Sequence, residues 1–131
     1  MARNRETIVY LDTHVVVWLY AGLLDKITDA AKQAIDESDL FVSQMARLEL
    51  QYLFEIGRLK VRADTILSSL SKSIGLKVSD IAFNKIIGEA LKLSWTRDVF
   101  DRLLVAEAKT LKHGFVSADN HIQSNFKQTI W

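Results

Sequence analysis

The sequence contains no cysteine and no proline, and only five glycines in 131 residues. Without cysteine there is no disulfide framework and no thiolate metal site, and the chain suits a reducing compartment. Without proline, and with glycine this scarce, nothing reads as a linker. No repeat and no low-complexity tract interrupts the chain. A single domain over residues 1–131 is the simplest organisation, and that length suffices for one core. An excess of either charge is missing too. Seventeen basic and sixteen acidic residues leave a net charge of +1, too little to hold nucleic acid by overall electrostatics. A nucleic-acid substrate would need bound cations or a local basic patch.

The chain also lacks a clean membrane-length apolar run. A charged stretch, Met1 to Glu6, precedes an apolar segment from Ile8 to Leu24 in the manner of a signal peptide. Asp12 and His14 interrupt that segment, and an aspartate at the centre of a membrane helix costs about 2.5–3.5 kcal/mol. A buried strand followed by a helix is therefore expected, in a cytoplasmic protein with no membrane partner. Several catalytic signatures are absent: a glycine-rich phosphate loop, a His-Glu-x-x-His helix and a Gly-x-Ser-x-Gly elbow. The three histidines are scattered. His113 is expected at a helix C-terminus and His121 at the surface; His14, beside Asp12, is within reach of the site, with packing the favoured reading.

What is present alternates between strand and helix. Thr7 to Leu11 is a run of β-formers suited to burial on both faces. Helical spacing begins after Asp12-Thr13, with Val15, Val16, Leu19 and Tyr20. Ile27 to Glu37 reads as a helix capped by Thr28. Leu40 to Val42 reads as a strand, and Ser43 caps a helix running to about Ile56 and ended by Gly57. Asp64 to Ser73 is helical, Leu76 to Val78 a third strand, and Ser79-Asp80 the start of a helix reaching Leu93. A last helix covers Asp98 to Lys112, closed by His113-Gly114. Phe115 to Ser117 forms a fourth strand and Thr129 to Trp131 an edge strand. This alternation predicts an α/β fold, a parallel sheet flanked by helices. Ligands of such folds bind at the carboxyl ends of the strands.

Acidic residues stand at several of those ends. Asp12 follows the first strand, and position alone leaves it open between helix cap and ligand. Glu49 falls on the apolar stripe formed by Met45, Tyr52, Leu53 and Ile56, the face expected to be buried. A carboxylate is almost never fully buried unless it is paired or bound to a metal, so Glu49 is either half of a buried salt bridge or a ligand. Asp101 heads the inner stripe Leu104, Val105, Ala108 and Leu111. Asp98, three residues earlier, is the better N-cap, which assigns Asp98 to structure and Asp101 to chemistry. Asp119 follows the fourth strand as a turn aspartate or a ligand, and Ser117 is placed to orient it. If the topology brings Asp12, Glu49, Asp101 and Asp119 to one sheet edge, their repulsion calls for a cation. Oxygen-only ligands suit Mg²⁺ or Mn²⁺ and not zinc, and such a site can drive attack of water on a phosphodiester.

The same residues resemble the motifs of the PIN-domain family. Tyr10-Leu11-Asp12-Thr13-His14 is similar to its first motif, and the helix from Ser43 to Leu50, with Glu49-Leu50 late on it, is similar to its second. Asp98-Val99-Phe100-Asp101-Arg102 resembles the Asp-Pro-Phe-Asp-Arg motif of VapC-type toxins, and Val116-Ser117-Ala118-Asp119 the closing motif. The terminal Thr-Ile-Trp fits as well. The four motifs run in family order from residue 10 to residue 119.

The resemblance implies a three-layer α/β/α sandwich with a central, mostly parallel sheet of four to five short strands. It implies an endoribonuclease using Mg²⁺ or Mn²⁺ bound by Asp12, Glu49, Asp101 and Asp119, with Thr13, Ser117 and Asp98 in support. It further implies a homodimer, an RNA substrate and inhibition by a VapB-like antitoxin. Val99 stands where the family has proline, a loss of helix pre-organisation rather than chemistry. Glu107 stands where glutamine is common and is not counted as a ligand.

Two rivals remain. A phosphotransferase of the haloacid-dehalogenase type would need a second aspartate at position 14, which is histidine. A catalytically silent module of the same fold would dock a partner without metal. For a partner, Val16, Trp18, Leu19, Leu53 and Phe54 are candidate lining residues of an apolar groove, although ordinary core is the favoured reading for most of them, with an antitoxin arginine or lysine reaching the acidic cluster.

Overall fold

A computed structural model describes residues 7–131. The charged stretch Met1 to Glu6, weighed above as part of a leader, lies outside the described residues. Five strands form one sheet: β1 (Ile8–Leu11), β2 (Asp39–Val42), β3 (Lys77–Val78), β4 (Gly114–Val116) and β5 (Thr129–Ile130). All neighbours are parallel, in the order β3-β2-β1-β4-β5. β1 is central, with Val9 opposite both Leu40 and Gly114. Parallel pairing with helices on both sides explains why Val9, Tyr10 and Leu11 are all buried instead of alternating.

The connections are α1 (Thr13–Ala21), a 3-10 turn (Leu24–Lys26) and α2 (Asp29–Glu37) between β1 and β2, then α3 (Gln44–Glu55) and α4 (Ala63–Ile74) before β3. α5 (Phe83–Ala90) and α6 (Val99–Thr110) lead to β4, and α7 (Asn120–Asn125) to β5. The chain is thus an α/β/α sandwich. From β1 it winds outward through β2 to β3. It then crosses back to β4 and continues the opposite way to β5. The reversal leaves a crevice between the carboxyl ends of β1 and β4, the place where open α/β sheets bind ligands. Among the described residues no helix is long and apolar enough to cross a membrane.

Several expectations need correction. Ser79-Asp80 does not start a helix: the Ser79 N–H extends the ladder by donating to Val42 O at 2.8 Å, and α5 begins at Phe83. The Ser79 hydroxyl turns inward instead and donates to Glu107. Glu107 is buried in α6, whose residues Leu103 to Ala108 are all inaccessible. It also accepts from the hydroxyls of Ser43 and Tyr10. Burial pushes its carboxyl above the ordinary range, and burial likewise pushes the Tyr10 phenol up to about 12. Three donors on one carboxyl explain how the core tolerates it.

The stripe assigned to α3 is rotated. Ala46 and Leu50 are its buried residues, with Met45, Glu49 and Leu53 half-buried, while Tyr52 and Ile56 are each 47% exposed. Leu111, expected inside, is 56% exposed because α6 ends at Thr110. Val16 is core, the reading favoured for most of the groove candidates, and Phe54 lies under the Arg62 guanidinium, 5.0 Å from the ring centroid. Helix α7 went unforeseen: Asp119 starts it, and six residues carry too little periodicity to announce it.

Candidate metal and nucleic-acid site

Asp12 takes its place because β1 ends there. Its backbone is still extended, and its side chain caps α1 by accepting from Thr13 N at 2.8 Å. The other carboxylate oxygen accepts from the Ser117 hydroxyl at 2.6 Å. Ser117 was expected to orient the Asp119 side chain. It instead donates to Asp12, and it meets Asp119 only by accepting from that residue's backbone N–H at 3.1 Å. One serine at the end of β4 therefore ties together the carboxyl ends of the two central strands.

Glu49 comes from the first half of α3, positioned by the Ser43 cap, whose hydroxyl accepts from Met45 N. Its partner is the buried Thr13 hydroxyl at 2.5 Å rather than a buried cation. Asp98 is the N-cap of α6, accepting from Asp101 N at 3.0 Å, which places Asp101 in the first turn with its carboxylate free of its own helix's capping duty. Asp119 caps α7, accepting from the N–H groups of His121 and Ile122.

Asp12, Glu49, Asp98, Asp101 and Asp119 line one pocket of about 420 Å³, together with His14, Trp18 and Ala118. Every acid assigned to chemistry from the sequence faces this space. Asp98 lines it as well as capping α6. His14 was expected to pack; it is exposed and forms part of the wall. Its placement follows from helical geometry, since His14 and Trp18 are four residues apart on α1, directly after Asp12. Asp12 and Glu49 are both held above the ordinary carboxylate range, chiefly by burial, and hydrogen bonds from Ser117 and Thr13 respectively pull back against it. Asp101 is pushed up to about 7, first by burial and then by repulsion from Asp98, Asp12, Asp119 and Glu49.

Among the described residues, no three His, Asp or Glu side chains stand close enough together, as they are, to hold a metal ion. Asp12, Glu49 and Asp119 each already accept hydrogen bonds from hydroxyls or backbone amides of the protein. A larger hollow of about 520 Å³, lined by residues of α3 and α4 that include Arg47, Arg62 and Asp64, has no such convergence of acids. Arg47 there is paired with Asp64 through two hydrogen bonds of 2.8 and 2.9 Å.

Fold and pocket together define a parallel α/β/α sandwich with a carboxylate-lined crevice where its winding reverses. The chain belongs to the PIN-domain family, whose model matches residues 9–127. No curated protein matches it by sequence. Among solved structures, it is similar to a chain of VapBC2 from Rickettsia felis, determined bound to a DNA fragment from the promoter. The TM-score is 0.65 at 15% identity, covering 92% of this chain and 94% of that one. VapBC-1 from nontypeable Haemophilus influenzae gives a TM-score of 0.57 at 13% identity, covering 93% and 92%. Identities this low establish a shared fold.

Proposed function

We propose that this chain is a Mg²⁺- or Mn²⁺-dependent endoribonuclease, the toxin component of a VapBC-type pair, with RNA as substrate and a VapB-like antitoxin as partner. The observation that carries the reading is the gathering of five carboxylates, from four separate parts of the chain, into one pocket at the carboxyl ends of β1 and β4. The donor set fits a hard divalent cation: it is all oxygen, and its mutual repulsion is of the sign a cation relieves. Asp12, Glu49, Asp101 and Asp119 would hold the metal. When bound, a divalent ion lowers the pKa of water and stabilises the leaving oxygen of a phosphodiester.

The protein's own part is to position these groups. Ser117 fixes the Asp12 carboxylate, Thr13 fixes Glu49, and Asp98 sets the first turn of α6 so that Asp101 projects into the pocket. A bound cation would draw Asp101 back to its ionised form. Both similar structures are of VapBC assemblies, which supports the antitoxin. A homodimer and a cytoplasmic location rest on family membership.

The test is cleavage of a mixed RNA pool with Mg²⁺ or Mn²⁺, with chelator, and with Asp101→Asn. Metal-dependent cleavage lost in the variant establishes the reading. Equal cleavage by both proteins marks a contaminant and rejects it. A second reading, a catalytically silent docking module, is favoured by the finding that no three acids among the described residues are close enough to hold a metal as they stand. Calorimetry decides between the two, since the silent module binds neither ion.

A further inference from the structure

The acidic pocket has one wall that is not acidic. Trp18 and His14 sit side by side on α1, with ring centroids 6.3 Å apart, and both line the space that holds the carboxylates. Trp18 is backed by Trp131, 5.9 Å away, which fixes its ring against the end of the chain. The Lys26 ammonium lies 5.8 Å from the Trp18 centroid. Lys26 is exposed, and among the described residues it forms no ion pair. A half-buried indole beside an exposed imidazole, with the Lys26 ammonium over the indole ring, is an unusual neighbour for five carboxylates, and nothing in metal binding requires it.

We propose that Trp18 and His14 form a stacking wall for the nucleobase next to the scissile phosphate, with Lys26 as the cation that receives the adjoining backbone phosphate. The inference rests on the ribonuclease reading and assigns the residues of that site that would contact the substrate's base. Physical chemistry favours this arrangement. An unstacked base presents a π-face that aromatic side chains bind whatever its identity. The pocket itself repels phosphate, so affinity must come from beside it. A protein of net charge +1 has no general basic surface to supply that affinity. Stacking at the rim attracts RNA without placing a positive charge among the metal-binding acids.

The test is direct binding to the cleavage-disabled Asp101→Asn protein, with Mg²⁺ present. The probe is a short fluorescein-labelled single-stranded RNA of mixed sequence, read by anisotropy. An oligomer of the same length with the bases removed serves as its partner. Trp18→Leu should weaken binding of the base-bearing RNA by about tenfold or more, whereas Trp18→Phe should retain most of it. His14→Ala, at an exposed position, should weaken it several-fold, and a melting temperature close to the parent's guards against a merely structural effect. Neither change should alter binding of the base-free oligomer, and Lys26→Ala should weaken both oligomers. Equal affinity of the parent for the two oligomers would overturn the proposal, as would unchanged affinity in both His14→Ala and Trp18→Leu. If the folded parent binds no RNA at all, the ribonuclease reading fails and takes the stacking wall with it. That outcome differs from one in which RNA binds and the aromatic variants do not matter.

Discussion

Replacing Asp101 with asparagine should make the metal-free protein more stable, although it removes a residue of the candidate site. In the fold the Asp101 carboxyl is held at about 7, against 3.8 for an unperturbed aspartate. The folded state therefore binds this proton more tightly than the unfolded state does. Its contribution is favourable at low pH, is lost as pH rises from about 4 through about 7, and stays lost above that. Full conversion of the shift would give about 4 kcal/mol. Asp101 is only half-buried, so solvent screening reduces this to about 1–2 kcal/mol. Asparagine also gives up a small favourable interaction with the N-terminus of α6.

The expected result, in chelator at pH 8, is a melting temperature about 3–8 °C above the parent, shrinking to nothing near pH 4. Added Mg²⁺ should reverse the order, since an ion that binds only the folded parent stabilises it by mass action. The assay is thermal unfolding by circular dichroism across pH, with and without chelator. A variant less stable than the parent at pH 8, or a difference independent of pH, would show that burial and the neighbouring acids do not disfavour the ionised Asp101.

Other outcomes follow from the same contacts. Ser117→Ala removes the hydroxyl donor to the buried Asp12 carboxylate and should cost about 1–3 kcal/mol, read as a lower urea midpoint with unchanged slope; an unchanged midpoint would show the bond to be dispensable. Thr13→Val frees Glu49 from its 2.5 Å hydrogen bond and should lower metal affinity by about tenfold, measured by calorimetry. Glu107→Ala strips the shared acceptor from Ser43, Ser79 and Tyr10 and should destabilise by about 2–4 kcal/mol, whereas Glu107→Gln, which can still accept, should cost far less. Gly114→Ala would set a Cβ 3.0 Å from Ile130 Cδ1 and 3.4 Å from Val9 Cγ1. The Ile130 side chain must then shift by a few tenths of an ångström, and amide exchange at Thr129 and Ile130 should rise if β5 is loosened and stay unchanged if the side chain alone absorbs it.

Much of the site was legible because its residues sit where local rules place acids. Asp12 and Asp119 each follow a strand and cap the helix after it, so strand endings located them, and Asp98 was visible as the N-cap of α6. Glu49 and Asp101 were visible as carboxylates on faces that helical spacing turns inward. The reasoning failed where one residue had two neighbours to choose from. Ser79 looks like a helix cap in sequence, yet in the fold it is drawn to Glu107, a residue 28 positions away. His14 looked like packing because the apolar residues around it are core, but a one-residue step around α1 from buried Thr13 turns it to solvent. The α3 stripe was drawn one position out of phase, since Tyr52 and Ile56 are apolar enough for a core and are nevertheless exposed.

Sequence by itself determined the alternation of strand and helix, the parallel sheet it demands, and the acidic caps that follow β1 and β4, because these depend on side-chain periodicity and on groups a few residues apart. Only the tertiary structure decided the strand order β3-β2-β1-β4-β5, and with it the reversal that sets Asp12 beside Asp119. The same holds for the Ser117–Asp12 bond across 105 residues, the burial of Glu107 under three hydroxyls, and the placement of Trp18 and His14 on the wall of the acidic pocket. Those contacts join residues whose proximity no local rule specifies, and they form only when burying the shared apolar surface brings distant segments together.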